Sequence, residues 1–140
     1  LETLSLRIER TCENAQKLAE WLEAHDEVES VTYPGLTSSH YHELGKKYLT
    51  RGFGGVLSFR LKGDKQRAES LVNNLELISN VANVGDAKTL IIHPASTTHS
   101  QLSECEQLAA GVQPTGLRVS VGLEHIDDII ADIESAISKL

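Results

Sequence analysis

The 140 residues carry 13 Lys+Arg against 20 Asp+Glu, a formal net charge of -7, and 40% hydrophobic side chains. That length and apolar content suit one domain with its own core. The acidic balance and the lack of a Lys/Arg-rich run argue against nucleic acid or an anionic membrane as a partner, and no stretch approaches the ~20 apolar residues that span a bilayer.

Residues 1 to about 25 read as one helix, because Leu4, Ile8, Cys12, Ala15, Leu18, Ala19 and Leu22 recur at helical spacing with charges between them. On that pattern Cys12 belongs to the core. Val28-Glu29-Ser30-Val31-Thr32-Tyr33 alternates and is β-branched, so it reads as a strand closed by Pro34-Gly35. His40 to Leu49 predicts a short helix with Tyr41, Leu44 and Tyr48 on one side. Gly52-Phe53-Gly54-Gly55 leads into the strand Val56–Leu61; these glycines precede a strand instead of opening a helix, so they read as a tight bend and not as a phosphate cradle.

Asp64 is placed to N-cap a helix running to about Leu75. Leu77 to Val84 is a short strand or an irregular crossing segment, and Thr89-Leu90-Ile91-Ile92 a short strand ending at His93-Pro94. Ser103-Glu104-Cys105-Glu106 has the capping-box pattern and opens a helix that Gly111 closes. Gly116 to Gly122 alternates as a strand. Ile126, Ile129, Ile130, Ile133, Ala136 and Ile137 then form the apolar stripe of a last helix reaching Leu140. The order predicts an α/β (α+β-like) domain, with a mixed sheet of about four or five strands covered by helices on at least one face.

Arg118 is the residue that points to chemistry. Leu117, Val119 and Val121 share one face of its strand, Arg118 and Ser120 the other. A guanidinium in a short apolar strand needs an anionic partner or an open polar pocket, and its fork suits a carboxylate or phosphate. The partner is either a ligand or a remote Asp or Glu, or else the side chain lies on a solvated face. Asn83-Val84-Gly85-Asp86-Ala87-Lys88 is a polar turn whose Asn83 amide can donate to an anion, and Lys88 reads as solvated. His93-Pro94-Ala95-Ser96-Thr97-Thr98-His99-Ser100 is rich in hydroxyls and imidazoles; it is either a functional loop or a capping and turn segment. His40, His42, His93 and His99 have no compact metal-ligand spacing, so no metal is expected. No Gly-x-Ser-x-Gly elbow is present. Cys12 and Cys105 form no Cys-x-x-Cys pair, which fits free thiols and a reducing, cytoplasmic setting. The chain begins on Leu1, inside a helical pattern, which raises the expectation of a piece of a longer polypeptide.

Together, the run Asn83 to His99 and the segment Leu117-Arg118-Val119-Ser120-Val121-Gly122-Leu123-Glu124 resemble the C-terminal part of the O-acetylhomoserine sulfhydrylases, pyridoxal-phosphate-dependent enzymes of Cys/Met metabolism. Glu9 to Ala15, Tyr33-Pro34-Gly35-Leu36, Tyr41 to Tyr48 and Gly54 to Phe59 fit the same pattern, so the resemblance covers essentially the whole chain. It implies the smaller C-terminal domain of such a fold-type I enzyme, with a largely antiparallel sheet. It implies that Arg118 clamps the substrate α-carboxylate, that Asn83 and Val84 contribute to the same site, and that Thr98 lies near its edge. Asn83-Val84-Gly85 stands where related lyases and cystathionine synthases have Ser-Leu-Gly, which favours the sulfhydrylase branch; those relatives, a methionine lyase, or a non-catalytic amino-acid-binding or oligomerisation module remain the alternatives. The implied reaction makes homocysteine from O-acetylhomoserine and sulfide, with pyridoxal 5'-phosphate as electron sink, in a homotetramer. The cofactor lysine and phosphate-binding residues belong to an earlier domain that is absent here. No catalytic or cofactor-binding residue is therefore expected in this chain, which alone should be inactive.

Overall fold

A computed structural model describes all 140 residues. The elements are α1 (Leu4–Ala24), β1 (Val28–Thr32), α2 (His42–Tyr48), β2 (Val56–Leu61), α3 (Lys65–Asn74), β3 (Ser79–Asn80), β4 (Leu90–Ile92), a 3₁₀ turn (Pro94–Ser96), α4 (Glu104–Ala109), β5 (Gly116–Ser120) and α5 (Ile126–Ile137). The strands form one sheet in the order β1-β2-β5-β4-β3, antiparallel except where β3 pairs with β4. The pattern of the chain predicts a mixed sheet of four or five strands and the family resemblance its largely antiparallel pairing, and both are found. No helix is long and apolar enough to cross a membrane.

The helices α1, α3 and α5 cover one face of the sheet. Their apolar stripes meet Leu57, Phe59 and Leu61 of β2, Ile91 of β4, and Leu117 and Val119 of β5 in a single core. The α5 stripe is buried as its isoleucine spacing dictates, at Ile126, Ile129, Ile133, Ala136 and Ile137. The capping signals hold: Asp64 Oδ1 accepts from Arg67 N at 3.0 Å, and Ser103 and Glu106 form a reciprocal capping box. Each satisfies backbone donors that a helix start leaves open.

Two readings of α1 are corrected. Leu4 and Ile8 are exposed, at 41% and 49% of their surface, and Cys12 is only half-buried. The buried stripe starts at Thr11 and Asn14 and continues through Ala15, Leu18, Ala19 and Leu22. Period alone does not reveal how far a helix overhangs the sheet beneath it. In β1 the pairing shifts between Val28 and Ser30, so that Val28 opposes Leu61 while Val31 opposes Phe59. This bulge keeps both valines on the core side and leaves Ser30 and Thr32 facing outward, opposite Arg60 and Ser58.

Gly54, with φ +87°, turns the chain ahead of β2 and receives the Tyr33 hydroxyl on its carbonyl at 2.8 Å. That contact and the left-handed backbone give the glycine-rich segment a structural role.

Candidate functional site

The face of the sheet away from the large helices is built differently along its width. Over β4 it is closed: Leu90 and Ile92 are buried, as is Ala95 of the 3₁₀ turn that follows the strand. Gln107 of α4 holds the covering segment together, its Nε2 donating to the carbonyls of Ala95 and His99 at 3.0 and 2.8 Å. Buried His93 bridges the segment too. Its Nε2 donates to the Pro114 carbonyl at 2.7 Å, and its Nδ1 lies 2.8 Å from the Ser96 hydroxyl. The Thr97 hydroxyl donates to the His93 carbonyl at 2.7 Å. The hydroxyls and imidazole of His93 to Thr97 are thus taken up in turn formation, the capping alternative for this stretch.

Over β1, β2 and β5 the same face is open. Ser30, Thr32, Ser58, Arg60 and Arg118 line a groove of about 440 Å³, together with Val112 and Gln113 from the segment before β5. Two arginines stand in it on neighbouring strands, and their surroundings differ. Arg60 is neutralised, with Glu29 3.2 Å from its guanidinium and its Nε donating to Ser30 Oγ at 2.9 Å. Arg118 has no carboxylate within ion-pair distance. One guanidinium nitrogen donates to the Asn83 carbonyl at 3.3 Å, and its Nε is buried without an acceptor. A charged donor set left this open is suited to a planar anion, since a carboxylate can take two N–H bonds from one guanidinium.

Asn83 stands beside Arg118 on the exposed loop between β3 and β4, while the next residue, Val84, is exposed and lines a different groove. The Asn83 side-chain oxygen accepts from Val84 N at 2.9 Å, and Gly85 N donates to Ser120 Oγ at 3.1 Å, which ties the loop down to β5. Gly85 has φ +76°, the left-handed conformation of a tight turn. The far side of this loop borders a second groove of about 250 Å³ with Leu4, Arg7, Ile8 and Val56. Thr98 is exposed beyond the 3₁₀ turn, its hydroxyl 2.8 Å from His99 Nδ1, and no hydrogen bond joins it to Arg118 or Asn83. The local sequence did not signal Ser120 as a loop anchor or Ser58 as the cross-strand neighbour of Arg118, because both depend on strand pairing.

No three of the His, Cys, Asp and Glu side chains converge to hold a metal ion. No lysine lines either groove. Lys88 is exposed, and Lys65 lies 3.9 Å from Glu69. A pyridoxal cofactor needs a lysine amine facing its ring, so the residues of this chain do not by themselves fit that group; what they offer is a guanidinium without an acidic partner.

The chain belongs to the Cys/Met metabolism PLP-dependent enzymes, which it matches over residues 1–138. It is 57% identical over 137 residues to a homocysteine synthase of Schizosaccharomyces pombe, covering 98% of this chain and 32% of that protein. An O-acetyl-L-homoserine sulfhydrylase of Leptospira meyeri is 50% identical over 141 residues, again covering 32% of its length. An L-methionine gamma-lyase of Fusobacterium nucleatum is 45% identical over 140 residues. A crystal structure of a Campylobacter jejuni protein assigned as an O-acetylhomoserine (thiol)-lyase, with N'-pyridoxyl-lysine-5'-monophosphate, superposes with a TM-score of 0.91 at 48% identity, covering 98% of this chain and 32% of that one. The chain thus spans about a third of the length of the relatives it matches.

Proposed function

We propose that these residues form the C-terminal, substrate-carboxylate-binding domain of an enzyme that makes homocysteine from O-acetylhomoserine and sulfide by pyridoxal-phosphate-dependent γ-replacement. The observation that carries this reading is Arg118: a half-buried guanidinium on an open sheet face, with no acidic partner, an unpaired Nε, and one backbone carbonyl beside it. In this reading Arg118 holds the α-carboxylate and so orients the amino acid. Asn83 and Val84 line the same end of the site, and Thr98 comes to its edge. The relatives named for homocysteine synthesis and O-acetylhomoserine support the substrate class. Their threefold greater length supports a preceding domain that supplies the lysine and the phosphate site. The 140 residues alone are then inactive. The working enzyme is a cytoplasmic homotetramer.

The test is Arg118→Ala in the intact polypeptide. We expect the KM for O-acetylhomoserine to rise strongly while the cofactor absorbance is retained; unchanged kinetics would remove the assignment. A lyase acting on methionine is the second reading, favoured by the 45% identical methionine γ-lyase. Release of a thiol from methionine, with no homocysteine formed from O-acetylhomoserine and sulfide, would select it.

A further inference from the structure

The loop that carries Asn83 and Val84 has little packing of its own, since every residue from Val81 to Lys88 is exposed. Its position relative to Arg118 must therefore come from its attachments. The strongest attachment lies where the loop enters β4. Thr89 is fully buried, and its N–H and hydroxyl both meet Glu124 from the turn after β5. Thr89 N donates to Glu124 Oε1 at 2.7 Å, and Thr89 Oγ1 to Glu124 Oε2 at 2.8 Å. The same Oγ1 accepts from Gly122 N at 2.9 Å. A carboxylate can only accept, so the direction of every proton in this set is determined.

The turn is itself anchored. Asn14 of α1 donates to the carbonyls of Gly122 and Glu124 at 3.1 and 2.9 Å, and Leu123 N donates to the Ala87 carbonyl at 2.8 Å. Gly122 admits this approach because a Cβ there would collide with the Lys88 and Ala87 backbone and the Glu124 carboxylate. Glu124 thereby joins three things: the helix layer, the end of the strand that bears Arg118, and the base of the loop that faces it.

We propose that the Glu124–Thr89 pair is a positioning device, which holds the Asn83–Asp86 loop against Arg118 and so tunes affinity for the amino-acid carboxylate without touching it. This rests on the reading of Arg118 given above. The hydrogen-bond logic makes the pair specific. A Gln at 124 presents a donor either to the Thr89 hydroxyl, whose proton then lacks an acceptor, or to the Thr89 N–H. A Val at 89 leaves Gly122 N and one carboxylate oxygen unpaired. A Ser at 89 retains every bond.

The experiment compares Glu124→Gln, Thr89→Val, Thr89→Ser and Arg118→Lys in the intact polypeptide with its cofactor, varying O-acetyl-L-homoserine at fixed sulfide. Thr89→Val and Glu124→Gln should each raise KM about tenfold with kcat nearly unchanged, the scale of a modest misplacement of a binding group. Thr89→Ser should behave as the parent, and cofactor absorbance should be the same in all. Combined with Arg118→Lys, Thr89→Val should add less than its separate effect, because both act on one carboxylate. A purely structural pair would lower the melting temperature and leave KM alone, which overturns the proposal. So does a Thr89→Ser variant as impaired as Thr89→Val. If Arg118→Lys raises KM while Glu124→Gln and Thr89→Val do not, the positioning role fails and the carboxylate reading stands. If Arg118→Lys itself has the parent KM, both fall.

Discussion

A guanidinium nitrogen of Arg118 on β5 donates to the backbone carbonyl of Asn83, 35 residues earlier in the chain, at 3.3 Å. Together with the Gly85 N–Ser120 Oγ bond, this contact joins the strand arginine to the polar loop, and it leaves the rest of the guanidinium without a protein acceptor.

Arg118→Lys follows from this geometry. An ammonium keeps the charge but loses the two-point match to a planar carboxylate. In the intact polypeptide we expect KM for the amino-acid substrate to rise about tenfold or more, the equivalent of one charge-assisted hydrogen bond of roughly 1.5–3 kcal/mol, with Arg118→Ala worse. Steady-state kinetics with the cofactor band as a loading control decides it. An Arg118→Lys KM equal to that of the parent would show that the fork geometry is irrelevant.

Asp132 on α5 accepts from three consecutive backbone N–H groups, Glu76, Leu77 and Ile78, at 2.9, 3.1 and 2.9 Å. It therefore caps the chain as α3 gives way to β3, supplying partners that the irregular backbone lacks. Asp132→Ala should cost about 1–2 kcal/mol, chiefly because it strips the acceptor from the N–H of buried Ile78, and Asp132→Asn less. Denaturant unfolding measures the loss. Faster amide exchange at Leu77 and Ile78 would show that it is local.

Tyr33 is fully buried, its hydroxyl on the Gly54 carbonyl. Burial, and secondarily the charge of a Cys12 thiolate, push its ionisation well above the ordinary phenol range. A raised value means that the unfolded chain ionises first, so stability is intact below pH of about 10 and falls as pH rises beyond it. The alkaline absorbance of the parent and of Tyr33→Phe should coincide until the protein unfolds. A phenolate signal from Tyr33 before unfolding would contradict the burial seen here.

Glu106 receives the Ser103 hydroxyl and backbone N–H at 2.7 and 2.8 Å, and these bonds hold its carboxyl below the usual range. A lowered value contributes stability above the ordinary glutamate range and loses it as pH falls through the lowered one. An NMR pH titration should find Glu106 deprotonating at lower pH than in Ser103→Ala. Identical titrations would mean that the box is not closed in solution.

Local patterns carried much of this fold in the sequence itself. The α5 isoleucines, the Asp64 and Ser103 caps and the alternation of β2 and β5 are short-range features, each set by a 3.6- or 2-residue period or by the chemistry of one helix start. The long, ordered motifs around Asn83 and Arg118 also identified the family in which the chain falls. Other features depended on what lies across the sheet or beneath a helix. The bulge in β1, the overhang of Leu4 and Ile8, the neutralisation of Arg60 by Glu29 and the freedom of Arg118 are of this kind. Both arginines sit in alternating strands, and no local rule separates the paired one from the open one. Only the strand order β1-β2-β5-β4, which places the acid of β1 beside Arg60 and the Asn83 loop beside Arg118, decides which is left without an acidic partner. Charge pairing acts over a few ångströms in space, and the chain brings those partners together only when it folds.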